Sequence, residues 1–185
     1  SKVIQDKVNQ ISKVSYLTFA SLCFGRSSDK RIIQSLLTNI LIEGRRNQRL
    51  KTLREKKMVS FIRPWIKIFS DCGLFLIQTS CVSTKEKEVS EEAQEQIKNV
   101  SSNSITQEEL NIAKFYYQNR LLTRLDNSRE LGLFYALGYF FNLAEQTPEQ
   151  VINKVKSVSL EDITGTAHTI FKPERLSWVV VGSGY

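Results

Sequence analysis

Gln48-Arg49-Leu50-Lys51-Thr52-Leu53-Arg54-Glu55-Lys56-Lys57-Met58-Val59-Ser60-Phe61 runs a basic helical segment straight into an apolar strand, with Arg54 seven residues ahead of the Phe61 ring. The spacing predicts a helix over about Asn47–Lys57 whose apolar stripe is only Leu50 and Leu53, so it lies at the surface. Beyond it, Val59–Phe69 and Leu74–Val82 are apolar, aromatic runs joined by Ser70-Asp71-Cys72-Gly73, a turn-forming cluster, and read as an antiparallel hairpin. Pro64 places the first of these strands at a sheet edge or a bulge, because proline cannot donate to a ladder. Upstream, Val14–Phe24 is rich in β-branched and aromatic residues and ends at Gly25, which predicts a strand and a turn. Ser28 can cap a helix that keeps Ile32, Ile33, Leu36, Leu37, Ile40 and Leu41 on one face, with Gly44 ending it.

The second half reads as helical. Ser83-Thr84-Lys85-Glu86 has the form of a capping box ahead of a helix burying Val89, Ala93, Ile97 and Val100, and Val100–Ser104 reads as a loop. Thr106 with Glu109 forms a second box, with Ile105 and Leu110 at staple spacing; Thr147-Pro148-Glu149-Gln150 and Ser159-Leu160-Glu161-Asp162 repeat the device. Leu131–Ala144 is apolar all round and is expected to be the central helix. Leu176–Val181 closes the chain as a strand interior to the sheet. Interleaved strands and helices predict an α+β fold: one domain over residues 1–185, a two-layer sandwich of a mixed, mostly antiparallel sheet with helices packed on one face.

The opening stretch resembles the R-L-x-x-x-L-R-E-x-x-G-L-A-Y signature of the insulinase/pitrilysin zinc peptidases, in their non-catalytic, C-terminal-type domain. The aromatic hairpin with its Asp-Cys-Gly turn, the Ile-Thr-Gln-Glu-Glu-Leu, Thr-Pro-Glu-Gln and Val-Ser-Leu-Glu-Asp-Ile helix starts, and the final Leu-Ser-Trp-Val-Val-Val-Gly strand follow in the family's order, so the resemblance covers nearly the whole chain. It implies the mitochondrial-processing-peptidase-like metallohydrolase fold. It further implies a domain that helps enclose peptide substrate against a zinc held by another domain or subunit, in a homo- or heterodimeric assembly. In that family an arginine and a tyrosine seven residues later hold the substrate carbonyl. Here the arginine matches as Arg54, while Phe61 stands at the tyrosine position and Met58 where the family often has glycine. Phenylalanine keeps the ring and loses the hydroxyl, which leaves a peptidase with an altered clamp or a family member serving as scaffold or partner subunit.

The residue inventory agrees that no metal chemistry resides in this chain. The family's H-x-x-E-H is absent and His168 is the one histidine, whereas a catalytic zinc takes three protein ligands. Phosphate-binding and nucleophile-elbow motifs are absent as well. Cys23, Cys72 and Cys81 are odd in number without C-x-x-C spacing. Cys72 and Cys81 could meet across a hairpin, but all three read as small apolar side chains. No apolar run reaches the roughly 20 residues of a membrane span. A net charge of +7 attracts acidic partners. Arg45, Arg46, Arg49, Lys51, Lys56 and Lys57 read as a solvated face; nucleic-acid binding would use the same charge, but no recognised module or aromatic stacking platform accompanies it. The only methionine is Met58 and the chain opens Ser1-Lys2-Val3, which reads as an excised or processed piece whose compartment is open.

Overall fold

The structure is a computed structural model that describes residues 3–9, 12–41, 50–102 and 104–182. Its strands are β1 (Gln5–Asn9), β2 (Val14–Phe24), β3 (Phe61–Ile68), β4 (Cys72–Val82) and β5 (Ser177–Gly182). Its helices are α1 (Arg31–Leu41), α2 (Lys51–Glu55), α3 (Glu86–Ser101), α4 (Gln107–Leu125), α5 (Ser128–Phe140), α6 (Pro148–Ser157) and α7 (Leu160–Ile170). The sheet order is β1-β5-β2-β4-β3, with only β1–β5 parallel.

Period-two burial decides which sheet face is covered. Leu17, Phe19, Ile62, Phe75, Ile77 and Val180 all point to one side and are buried there beneath α1, α3 and α7. Helix α1 buries the whole stripe expected of it, Ile32, Ile33, Leu36, Leu37, Ile40 and Leu41. Its Gln34 turns inward and grips the end of β2: Phe24 N–H donates to Gln34 Oε1 and Gln34 Nε2 donates to the Phe24 carbonyl, both at 2.9 Å. The helix itself begins at Arg31, and the Ser28 hydroxyl accepts from Lys30 N–H in the turn before it. Farther out, α4 packs on α1, with Asn39 Nδ2 donating to the Ala113 carbonyl, and α6 packs on α4. The capping boxes at Thr106, Thr147 and Ser159 are all formed.

Several expectations are corrected, beginning with Val100–Ser104, read as a loop, into which α3 continues through Ser101. Ser83 and Glu86 do not form a capping box: a 3-10 turn occupies Ser83–Lys85 and α3 starts without a side-chain cap. The Glu86 carboxylate instead accepts from Ser15 Oγ at 2.8 Å and pairs with Lys7 at 2.7 Å, tying β1 and β2 to α3. The helix read as central is peripheral. Of α5 only Gly138 is buried, while Tyr139 and Phe140 are 86% and 78% exposed. The sheet is already covered by α1, α3 and α7, so α5 rests on α4, and its chain connection to α6 is fastened by the Arg31–Glu145 ion pair at 2.6 Å. Cys72 and Cys81 lie on the same strand, nine residues apart, so they do not face each other across the hairpin; all three cysteines are free.

Helix α2 is shorter than expected because a tight turn closes it. Met58 N–H donates to the Leu53 carbonyl at 2.9 Å and Lys57 N–H to the Arg54 carbonyl at 3.0 Å, the paired bonds of a Schellman turn. Leu53 and Met58, the residues whose apolar contact accompanies that turn, are both buried. The left-handed position falls on Lys57, with φ of 52°. A non-glycine residue there costs about 1–2 kcal/mol, and glycine gives back about 0.5–1 kcal/mol through its greater freedom in the unfolded chain. Lys57→Gly is therefore expected to raise stability by about 0.5–1 kcal/mol in urea denaturation. A loss of stability would show that this turn is built differently. Asn47, Gln48, Arg49, Arg45, Arg46 and Gly44 lie outside the described residues.

Candidate functional site

The turn that closes α2 delivers the chain directly into β3, so Arg54 and Phe61 sit on either side of one short connection. Buried Leu50, Leu53, Met58 and Val59 anchor this connection. Arg54 is exposed, and no hydrogen bond or ion pair engages its guanidinium among the described residues. Its neighbour Lys56 is drawn toward Glu92 at 3.7 Å. Phe61 is half-buried, with the Arg63 guanidinium 5.3 Å from its ring centroid.

Register shows what Phe61 faces. It pairs with Ser80, Ser80 with Tyr16, Tyr16 with Val181, and Val181 with Val8, so one row of side chains crosses the sheet from edge to edge. The next row runs Arg63, Gln78, Thr18, Val179 and Asp6, and the one after it Trp65, Leu76, Ala20 and Ser177. These residues alternate with the buried set and therefore occupy the sheet face that no described helix covers. Tyr16 is 55% exposed and Trp65 43%. The result is a broad open surface of aromatic and aliphatic side chains, with the Tyr16 and Thr18 hydroxyls, the Gln78 amide and the Arg63 and Asp6 charges as its polar points, while Ser80 in the same row is buried.

Sequence reading finds Arg54 and Phe61 as a motif but not Tyr16, Ser80, Gln78 or Trp65 as their neighbours. Alternation along Val14–Phe24 separates two faces. Only the pairing of β2 with β4 places Tyr16 in the row of Phe61.

Among the described residues, no three His, Cys, Asp or Glu side chains gather into a metal-binding set. His168 is exposed near the end of α7. Burial pushes the Cys23 thiol up to about 12, with Cys72 adding to the shift, and burial with the nearby Glu86 carboxylate pushes Cys81 up to about 11. Both thiols stay protonated at neutral pH and are poor nucleophiles. No helix among the described residues is long and apolar enough to cross a membrane.

Comparison with known proteins matches residues 2–117 to the family described as the peptidase M16 inactive domain. No curated protein sequence matches the chain. Among solved structures, the peptidase M16 inactive domain from Pseudomonas fluorescens superposes with a TM-score of 0.83 at 19% identity, covering 100% of this chain and 45% of the other. A chain of Complex III2 from Candida albicans, with Inz-5 bound, gives a TM-score of 0.82 at 14% identity over 97% of this chain and 46% of that one. A mutant of the ferredoxin protease FusC in complex with Arabidopsis ferredoxin gives 0.74 at 13% identity over 100% of this chain and 21% of the other. The chain thus spans less than half the length of each of these structures.

Proposed function

This chain belongs to the peptidase M16 inactive domain family, and from that membership we propose that it forms one wall of a peptide chamber whose catalytic zinc is held by another domain or subunit. The observation that carries the reading is the open sheet face around Phe61, beside the exposed Arg54. A surface of this kind offers an unfolded peptide apolar contact with a few polar anchors, as ligand clefts do. In this role Arg54 orients the peptide carbonyl and Phe61 lines the wall, while the substrate, the zinc-bearing partner and a dimeric arrangement belong to the larger assembly. A scaffold role is the second reading, favoured by Phe61, which lacks a hydroxyl at the clamp position, and by the likeness to a chain of Complex III2.

The test places a photo-crosslinking phenylalanine analogue at Trp65, or at exposed Glu149 on α6, in the assembly containing this chain and an H-x-x-E-H-bearing half. Capture of an unfolded peptide is expected at Trp65 and not at Glu149. Equal capture at both positions, or none at Trp65 in an assembly that cleaves the peptide, overturns the reading. The chain alone is expected to cleave nothing and to retain no stoichiometric zinc after dialysis. One tightly held zinc per chain overturns the assignment of the metal to a partner.

A further inference from the structure

The hairpin leaves β3 with an outer edge that no other described strand pairs with. Phe69 N–H donates to the Cys72 carbonyl at 2.8 Å, which fixes the antiparallel alternation: the backbone groups of Arg63, Trp65 and Lys67 turn toward β4. Those of Ile62, Pro64, Ile66 and Ile68 therefore turn outward, where no described residue pairs with them. Pro64 fits this arrangement, since the donor it lacks would have pointed into the open.

Alongside this edge lies a groove of about 460 Å³, bounded by Pro64, Ile66 and Ile68 on one side and by Thr38, Tyr117 and Arg124 on the other. Its lining includes Arg124 and no carboxylate; Arg120 also lines it but is engaged in an interaction of its own. It shares Ile68, Tyr117 and Arg124 with a second cavity of about 250 Å³ that continues to Leu133, Phe134 and Leu137. Within that cavity Arg31 is already paired with Glu145, and Arg26 lies over the Phe141 ring at 4.9 Å. Arg124 thus offers positive charge at the wall common to both spaces.

We infer that the β3 edge is a docking site for an extended, acidic polypeptide segment. The segment adds as a sixth strand through Ile66 and Ile68, sets a carboxylate against Arg124 and places an apolar side chain by Leu133 and Leu137. Main-chain bonds supply affinity in such strand addition and the side-chain pockets supply selectivity. An acidic residue is selected because Arg124 stands on a groove wall whose own lining holds no carboxylate, Glu130 and Glu145 lining the adjoining cavity where Glu145 is paired with Arg31, and such a wall attracts negative charge and rejects positive. Arg63 and Lys67 belong to the opposite sheet face, so the site meets the chamber wall only along the strand edge at Trp65, which also lines the groove, and its occupancy requires neither zinc nor peptidase activity.

The probe is a fluorescein-labelled eight-residue peptide of alternating valine and glutamate, with the valine–lysine peptide and a ten-nucleotide single-stranded DNA as comparators. Anisotropy at low salt is expected to show the acidic peptide binding at least about tenfold more tightly than either. Arg124→Glu is expected to remove about tenfold or more of that affinity, while Lys67→Glu, the same charge change on the other face, leaves it unaltered. In hydrogen exchange the Ile66 and Ile68 amides gain protection on binding, whereas Trp65 and Lys67, already bonded to β4, serve as internal references. Tighter DNA binding, equal binding of the basic peptide, equal loss in Arg124→Glu and Lys67→Glu, or unprotected Ile66 and Ile68 amides each overturns the inference.

Discussion

In the proposed assembly, where it shows peptidase activity, Arg54→Ala is expected to lower kcat by about 10²–10³-fold, the typical cost of removing one donor pre-aimed at developing negative charge. The fold should be nearly unaffected, because Arg54 is exposed while Leu50 and Leu53 anchor the helix that carries it. Surface substitutions of that kind usually change stability by less than about 0.5 kcal/mol. The two readouts therefore separate: kcat falls and the urea midpoint does not. Lys56→Ala is the control, since Lys56 has the same charge, borders the same turn and leans toward Glu92. Phe61→Tyr is expected to act in the opposite direction. A hydroxyl contributing one hydrogen bond made only in the transition state lowers the barrier by about 1 kcal/mol, a several-fold gain. If Arg54→Ala and Lys56→Ala behave alike in an active, folded preparation, Arg54 is not part of a clamp.

Gln34→Leu is expected to destabilise the fold by about 3 kcal/mol, since it strands one donor and one acceptor, each costing about 1–3 kcal/mol, at the lower half of that range because Phe24 is only partly buried. Strand β5 pairs with β2 only between Tyr16 and Ala20, so the last residues of β2 extend past their neighbour. At Phe24 the Gln34 carboxamide, fully buried, stands in for a missing strand by both accepting and donating. Leucine fills similar volume, which holds the cavity contribution small and isolates the polar loss. At roughly 2–4 °C per kcal/mol for a domain of this size, the melting temperature should fall by about 6–12 °C. Gln96→Leu, whose amide reaches only Glu92 on the same helix, should stay within about 0.5 kcal/mol. A Gln34→Leu protein as stable as Gln96→Leu would show that another group satisfies the Phe24 backbone.

The two substitutions differ in how visible their sites are along the chain. Arg54 is marked by local context, a basic helix ending in a strand. Gln34 sits in an apolar stripe as one polar exception, and its partner becomes apparent only when Phe24 is brought over it. Strand β1 illustrates the same limit from the other side. Gln5-Asp6-Lys7-Val8-Asn9 has little strand character of its own and is held by parallel pairing with β5 and by the Lys7–Glu86 contact.

The sequence by itself determined the α+β class, the hairpin, the edge placement of Pro64, the apolar face of α1 and three of the helix starts. Each of these rests on interactions spanning a few residues: side-chain period, turn chemistry, or a hydroxyl reaching the third amide beyond it. Tertiary structure alone decided that Glu86 ties two strands to a helix instead of capping, that α5 lies outside the core, and that Phe61 shares a row with Ser80 and Tyr16. Hydrophobicity reports that a surface avoids water, without specifying what covers it. The covering is set by which distant elements reach the sheet first, and here α1, α3 and α7 occupy one face and leave the other open.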